Sequence, residues 1–206
     1  MPATPRGPAR IRIGYRWPPP KAPPHPPKRY MKPDTRQRYG TLSRLLHWGM
    51  AVLVVWQALK LADRIDDGQH WIGQVLVPWH VSIGTLVGVL IVVRIAWALR
   101  NRHRRPPAPM PPLLGMLARA GHIALYLALL LMPLSGIAIL VGNGYGLEAF
   151  GLQLVAPGPE IPWLAAFGKV VHSPLAWLLV LLVIGHVAAA LWHGLVRKDG
   201  VLRRML

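Results

Sequence analysis

The sequence predicts an all-α fold, a four-helix transmembrane bundle with both termini cytoplasmic. Three observations predict it. Of 206 residues, 53% are hydrophobic and only 15% are charged. The apolar residues gather into four runs, roughly Leu42–Leu59, Trp79–Leu99, Ile123–Val141 and Leu175–Leu195, each near the ~20 residues a helix needs to span a bilayer. Lys and Arg concentrate in alternate connections, as they do on the cytoplasmic side of membrane proteins.

The charge pattern sets the orientation. Residues 1–46 hold eleven Lys and Arg against one acid, Asp34. Arg100, Arg102, Arg104, Arg105 and Arg119 flank the connection between the second and third runs, and Arg197, Lys198, Arg203 and Arg204 lie at the C-terminus. The other two connections set Lys60, Arg64 and Lys169 against Asp63, Asp66, Asp67, Glu148 and Glu160, and so face outward. The net charge of +17 is thus a topology signal and a contact for anionic lipid. No aromatic–basic interleaving or groove-reading motif accompanies it, which argues against nucleic acid as a partner. The bilayer is the first partner, crossed with both termini on its cytoplasmic side.

Residues 1–38 form a proline- and arginine-rich cytoplasmic arm, and residues 39–206 the membrane domain. Residues 1–33 carry half of the prolines, a composition that cannot build a packed core. The arm has no apolar stretch of the kind a signal peptide needs. His25 within it is expected in solvent. Thr41 or Ser43 can cap the first helix. Trp71 and Trp79 suit an interface, and the second helix ends near Arg100. Prolines between 106 and 112 make the next connection stiff. Pro133, beside Ser135 and Gly136, predicts a kink in the third helix. Residues 142–169 form a long outer connection, with a short interfacial helix over Trp163–Phe167.

The chain has no cysteine. This removes disulfides, thiolate metal sites, iron–sulfur clusters and covalent haem attachment. Any haem would have to be held by ligand bonds and packing alone. His47, His80, His172 and His186 sit in or at the edge of the apolar runs, where a polar ring needs a partner or a task. His172 and His186 are fourteen positions apart, which places them within about 40° of one helix face and about 21 Å apart along it. By depth, His80 pairs with His172 near the outer surface and His47 with His186 near the inner one. Each pair can supply both axial ligands of one b-type haem, a filled coordination suited to electron transfer. For a single membrane histidine a hydrogen bond between helices is an equal reading; four that pair by depth favour haem. Zinc wants its ligands close together, and a proton relay lacks membrane carboxylates.

Other residues are candidates of the same kind. Gly84 and Gly88 follow His80 on its own helix and would let a flat macrocycle approach, or would simply pack helices. Arg94 lies on His80's face near the inner surface and can pair with haem propionates or snorkel to the interface. His122 opens the third helix with no depth-matched partner. His193, beside Trp192, is a candidate contact for a quinone headgroup. His70 and His103 fall in connections.

These residues carry a resemblance. Arg38 to Trp48 (RYGTLSRLLHW), His80 to Gly84 (HVSIG), Gly121 to Tyr126 (GHIALY) and Gly185 to Leu191 (GHVAAAL), with the later Arg197-Lys198-Asp199, resemble in order the four helices of bacterial cytochrome b561. The likeness runs from about Arg38 to Leu206 and omits the proline-rich arm. It implies an integral cytochrome of the bacterial inner membrane with two non-covalent b haems, ligated by His47, His80, His172 and His186, with Arg94 at a family arginine. Some members oxidise superoxide at the outer side and pass electrons to ubiquinone, so the resemblance also implies an oxidoreductase or electron-transfer activity. The alternative is a haem-bearing membrane anchor that relays electrons for a separate dehydrogenase or soluble cytochrome; that group usually has an additional helix. A homodimer stays open.

Overall fold

The computed structural model describes residues 31–61, 71–107 and 110–206. Four long helices carry the fold: α1 (Thr41–Leu59), α3 (His80–Arg100), α4 (Pro112–Gly142) and α5 (Pro162–Leu191). A short helix α2 (Trp71–Val75) and a 3-10 turn (Val77–Trp79) lead into α3. A two-stranded antiparallel hairpin, β1 (Leu147–Ala149) and β2 (Leu152–Val155), joins α4 to α5. The start of α1 and the end of α5 mark the termini end of the bundle; the hairpin marks the other.

Among the described residues, four helical stretches are long and apolar enough to cross a membrane: Thr41–Leu59, Gly73–Arg100, Pro112–Gly142 and Pro162–Arg197. Their outer faces expose Leu45, Val52, Val55, Val92, Leu127, Leu131, Leu181 and Ile184. In water that surface would be a liability; against lipid tails it costs nothing. Inside, Met50 and Ile91 are fully buried and, with Ile83 and Val87, form a core between α1 and α3, against which Tyr126 and Leu129 of α4 pack.

Neither Thr41 nor Ser43 caps α1. The N-cap is Gly40, with no side-chain cap. Asp34 acts from a distance instead: its carboxylate accepts from the Gly40 N–H at 2.7 Å and from the Ser43 hydroxyl at 2.8 Å. The Ser43 oxygen in turn accepts from Trp97 Nε1 of α3 at 2.9 Å. Asp34 is buried, and Arg105 Nε lies 3.7 Å from it. A Cβ on Gly40 would collide with the Lys32 carbonyl. Residues 32–38, which composition assigns to the arm, are therefore hydrogen-bonded to the bundle. Further bonds from Arg38 to the Leu206 carbonyl and from Trp48 Nε1 to the Met205 carbonyl draw residues 202–206 onto the start of α1.

Two helices are longer than hydropathy suggests. α4 begins at Pro112, ten residues before His122, so His122 lies well along the helix and does not open it. Proline fits the first turn, where its missing N–H is not needed. α5 likewise begins at Pro162 and passes Pro174 without a break. The stretch Trp163–Phe167 is its first turns and not a separate interfacial helix. Much of the expected outer connection is the hairpin, whose turn residues Phe150 and Gly151 both have positive φ, 53° and 76°, as a two-residue hairpin turn requires.

Candidate haem sites

The four membrane histidines converge as two pairs. His80, the first residue of α3, faces His172 of α5 with ring centres 6.1 Å apart and planes at 82°. His47 of α1 faces His186 of α5, also at 6.1 Å, with planes at 69°. The first pair lies at the hairpin end and the second towards the termini end. One helix thus serves both pairs, as the fourteen-residue spacing predicts.

The 6.1 Å separation is informative. A metal–imidazole bond is about 2.0 Å long, and a ring nitrogen lies about 1.1 Å from the ring centre. Two imidazoles on opposite sides of one metal therefore have centres about 6.2 Å apart. Both pairs meet that value.

At the hairpin end a cavity of about 640 Å³ opens between the rings, within the ~300–1,000 Å³ usual for cofactor sites. Its walls are apolar, among them Val54, Val87, Leu129, Leu140 and Leu179, with Gly84 and Gly136 beside the two histidines and Leu147 of the hairpin closing the top. Gly84 thus lines the site. Gly88 does not: a Cβ there would meet the Pro133 ring at 3.1 Å, so it packs α3 on α4. His80 Nδ1 is buried with no hydrogen-bond partner among the described residues. The Gln57 amide donates to the His80 carbonyl at 2.8 Å. Lys60 stands at the rim. A flat apolar macrocycle with polar edges fits these walls and donors.

The second pair has a different polar surrounding. Arg94 Nη2 donates to His47 Nδ1 at 2.9 Å, and its guanidinium lies over the Tyr126 ring at 5.6 Å. It points into the bundle and does not snorkel. His122, which sequence depth leaves without a partner, has its ring 5.2 Å from that of His186. Hydropathy alone starts α4 near Ile123, too late to bring His122 into the helix. His122 Nδ1 donates to the Ala118 carbonyl at 2.6 Å, fixing its ring on its own helix. At 5.2 Å it is too near His186 to share a metal from the opposite side, whereas His47 is not.

His193 lies beyond α5, in a π-helical turn over Trp192–Arg197. Its Nδ1 meets Asp199 Oδ2 at 2.6 Å, while Trp192 is exposed. That hydrogen bond, chiefly, holds the Asp199 carboxyl below its ordinary pKa, helped by the Val201 N–H and by Arg197. His103 accepts from Arg102 Nε in the exposed connection. His25, His70, Arg64, Asp63, Asp66 and Asp67 lie outside the described residues.

Known proteins resemble this chain over most of its length. Residues 38–206 match the family described as prokaryotic cytochrome b561. The chain is 33% identical over 184 residues to cytochrome b561 homolog 2 of Escherichia coli (strain K12), covering 84% of this chain and 93% of that protein. It is 33% identical over 175 residues to a probable superoxide oxidase CybB of Yersinia pestis, covering 82% of this chain and 96% of the relative. Cytochrome b561 homolog 1 of the same Escherichia coli strain is 28% identical over 176 residues.

Proposed function

Because this chain belongs to the prokaryotic cytochrome b561 family, a group of haem-bearing membrane electron-transfer proteins, we propose that it binds two b haems and conducts electrons between them across the bacterial inner membrane. His80 and His172 hold one, His47 and His186 the other. The observation that carries the reading is the common 6.1 Å separation of the two imidazole pairs. When bound, haem supplies a one-electron iron couple. Two histidines per iron leave no position open for oxygen, which restricts each site to electron transfer.

The protein's own residues do the rest. Apolar walls exclude water from the hairpin-end site. Arg94 is placed to neutralise propionates at the termini-end site. A histidine bound through Nε2 would carry its proton on Nδ1 and could not accept from arginine, which would free Arg94 to meet those carboxylates.

The basic termini end faces the cytoplasm in this reading and the hairpin end faces outward. Electrons enter at the hairpin end. Superoxide is the favoured donor, supported by the likeness to a probable superoxide oxidase and by Lys60 at the cavity rim. Two superoxide anions yield two O₂ and two electrons; with two protons these convert one ubiquinone to ubiquinol. The quinone headgroup meets His193 and Trp192, where a π turn widens the helix end, as such turns often do at functional sites.

A reduced-minus-oxidised spectrum of the purified protein, with haem assayed against protein, tests this. Two b haems per chain are expected, falling to one in His172→Ala and one in His47→Ala. A native ratio of one, or no b-type spectrum, overturns it. Superoxide mixed with the protein and a short-chain ubiquinone should reduce haem and then quinone; inert haem removes superoxide as donor.

A further inference from the structure

The segment Met132-Pro133-Leu134-Ser135-Gly136 of α4 predicts a kink, but the haem reading gives it no task. The structure supplies one. Ser135 is buried to 2% exposure. Its hydroxyl donates to the Met132 carbonyl at 2.8 Å, and its oxygen lies 2.9 Å from His172 Nδ1. A serine has one proton to give. With that proton on Met132, the oxygen serves as an acceptor for His172, whose ring also meets the Met132 carbonyl. The proton of His172 is thereby fixed on Nδ1, and Nε2 is left with its lone pair directed elsewhere.

The backbone makes this contact possible. Gly168 precedes His172 by one helical turn on the same face of α5. A Cβ on Gly168 would stand 2.8 Å from the Ser135 carbonyl and from Ile139 N, so only glycine lets α5 come this close to α4 here. One turn later the His172 ring lands on Ser135. Gly136 completes the cradle: a Cβ there would press on His172 Cε1 at 3.3 Å. Across the cavity, His80 Nδ1 has no comparable acceptor among the described residues. The two histidines of this pair are therefore unequal.

We infer that Ser135 is the positioning residue of the hairpin-end haem: by accepting from Nδ1 it sets the tautomer and ring angle of His172 and makes it the more strongly donating ligand of the pair. The inference rests on the ligand assignment above. A hydrogen bond at the far nitrogen raises ligand basicity, and loss of such a partner typically costs 10–100-fold in metal affinity. A more basic ligand favours ferric over ferrous iron, so its loss raises the reduction potential.

The test compares Ser135→Ala, Ser135→Thr and His172→Ala, by spectroelectrochemical titration of both haems and by haem transfer to an acceptor apoprotein. Ser135→Ala should release the hairpin-end haem about 10- to 100-fold more readily and shift its potential upward, with the other haem unmoved. Ser135→Thr, which keeps the hydroxyl, should restore the native potential. If Ser135→Ala changes neither affinity nor potential while His172→Ala loses one haem, the positioning role is wrong and the ligand assignment stands. If Ser135→Ala shifts both haems alike, the serine acts only through packing and the inference falls. If His172→Ala keeps two haems, the ligand assignment itself fails.

Discussion

Arg94 donates its guanidinium to Nδ1 of His47 at 2.9 Å, joining the middle of α3 to the first turns of α1. Arginine cannot accept a hydrogen bond, so the lone pair in that contact belongs to the histidine. This brings the charge of α3 onto a histidine of α1 and sets Arg94 beside the termini-end pair.

Arg94→Ala should lower the reduction potential of the termini-end haem, because a nearby positive charge favours ferrous over ferric iron. Arg94→Lys should retain most of the native value. Redox titration of the two haems checks this; an unchanged potential in Arg94→Ala would place the guanidinium's charge too far from the iron to matter.

His122→Ala should retain both haems, whereas His47→Ala should lose one. Both rings lie beside His186, but only His47 stands at the separation of two ligands on one metal. The haem-to-protein ratio separates them, and a ratio of one in His122→Ala would exchange their roles.

Asp34→Ala should destabilise the fold by about 3 kcal/mol. It would strand the Gly40 N–H, free the Ser43–Trp97 link and leave Arg105 without its carboxylate. Removing one side of a buried charged network costs about that much. Thermal unfolding in detergent reads it out, with Asp34→Asn intermediate since it keeps one acceptor.

Asp199 gives a pH dependence with a definite sign. Its carboxyl is held below the ordinary value chiefly by the His193 hydrogen bond. The contribution is complete above the unfolded pKa of about 3.9 and is lost as pH falls through the lower folded value. Protease resistance of residues 192–206 should therefore hold from neutrality to about pH 4 and decline below it. Asp199→Asn should flatten that decline and, by freeing His193, raise the KM for ubiquinone more than it lowers kcat. A KM unchanged in both Asp199→Asn and His193→Ala would place the quinone elsewhere.

Much of this was legible in the sequence. Four spans follow from apolar runs, and the histidine pairs follow from depth plus the spacing of His172 and His186. What hydropathy missed has one physical cause: it reports the stretch that faces lipid, whereas a helix continues as long as its backbone hydrogen bonds do. α4 and α5 therefore start well before their apolar windows, each at a proline that fits a first turn. That error hid His122. The hairpin was illegible for another reason. Its turn places Phe150, not asparagine, at φ 53°. That backbone is sparsely allowed for a bulky residue and is held here by the Phe150 N–H bond to Ser82 Oγ at 3.0 Å. The Asp34 cap escaped because a carboxylate six residues before Gly40 matches no local capping pattern.

α5 contributes one histidine to each pair within a single unbroken helix. The helix is thus a ruler. In the proposed two-haem reading, the hop length between the redox centres is set by the rise of one backbone, not by how four helices happen to settle. Lateral breathing of the bundle can tune each centre's energy while the spacing stays constant. Adding one helical turn between His172 and His186 would carry His186 about 5.4 Å along the axis, away from His47 of α1, and so dismantle the second pair while leaving the first in place.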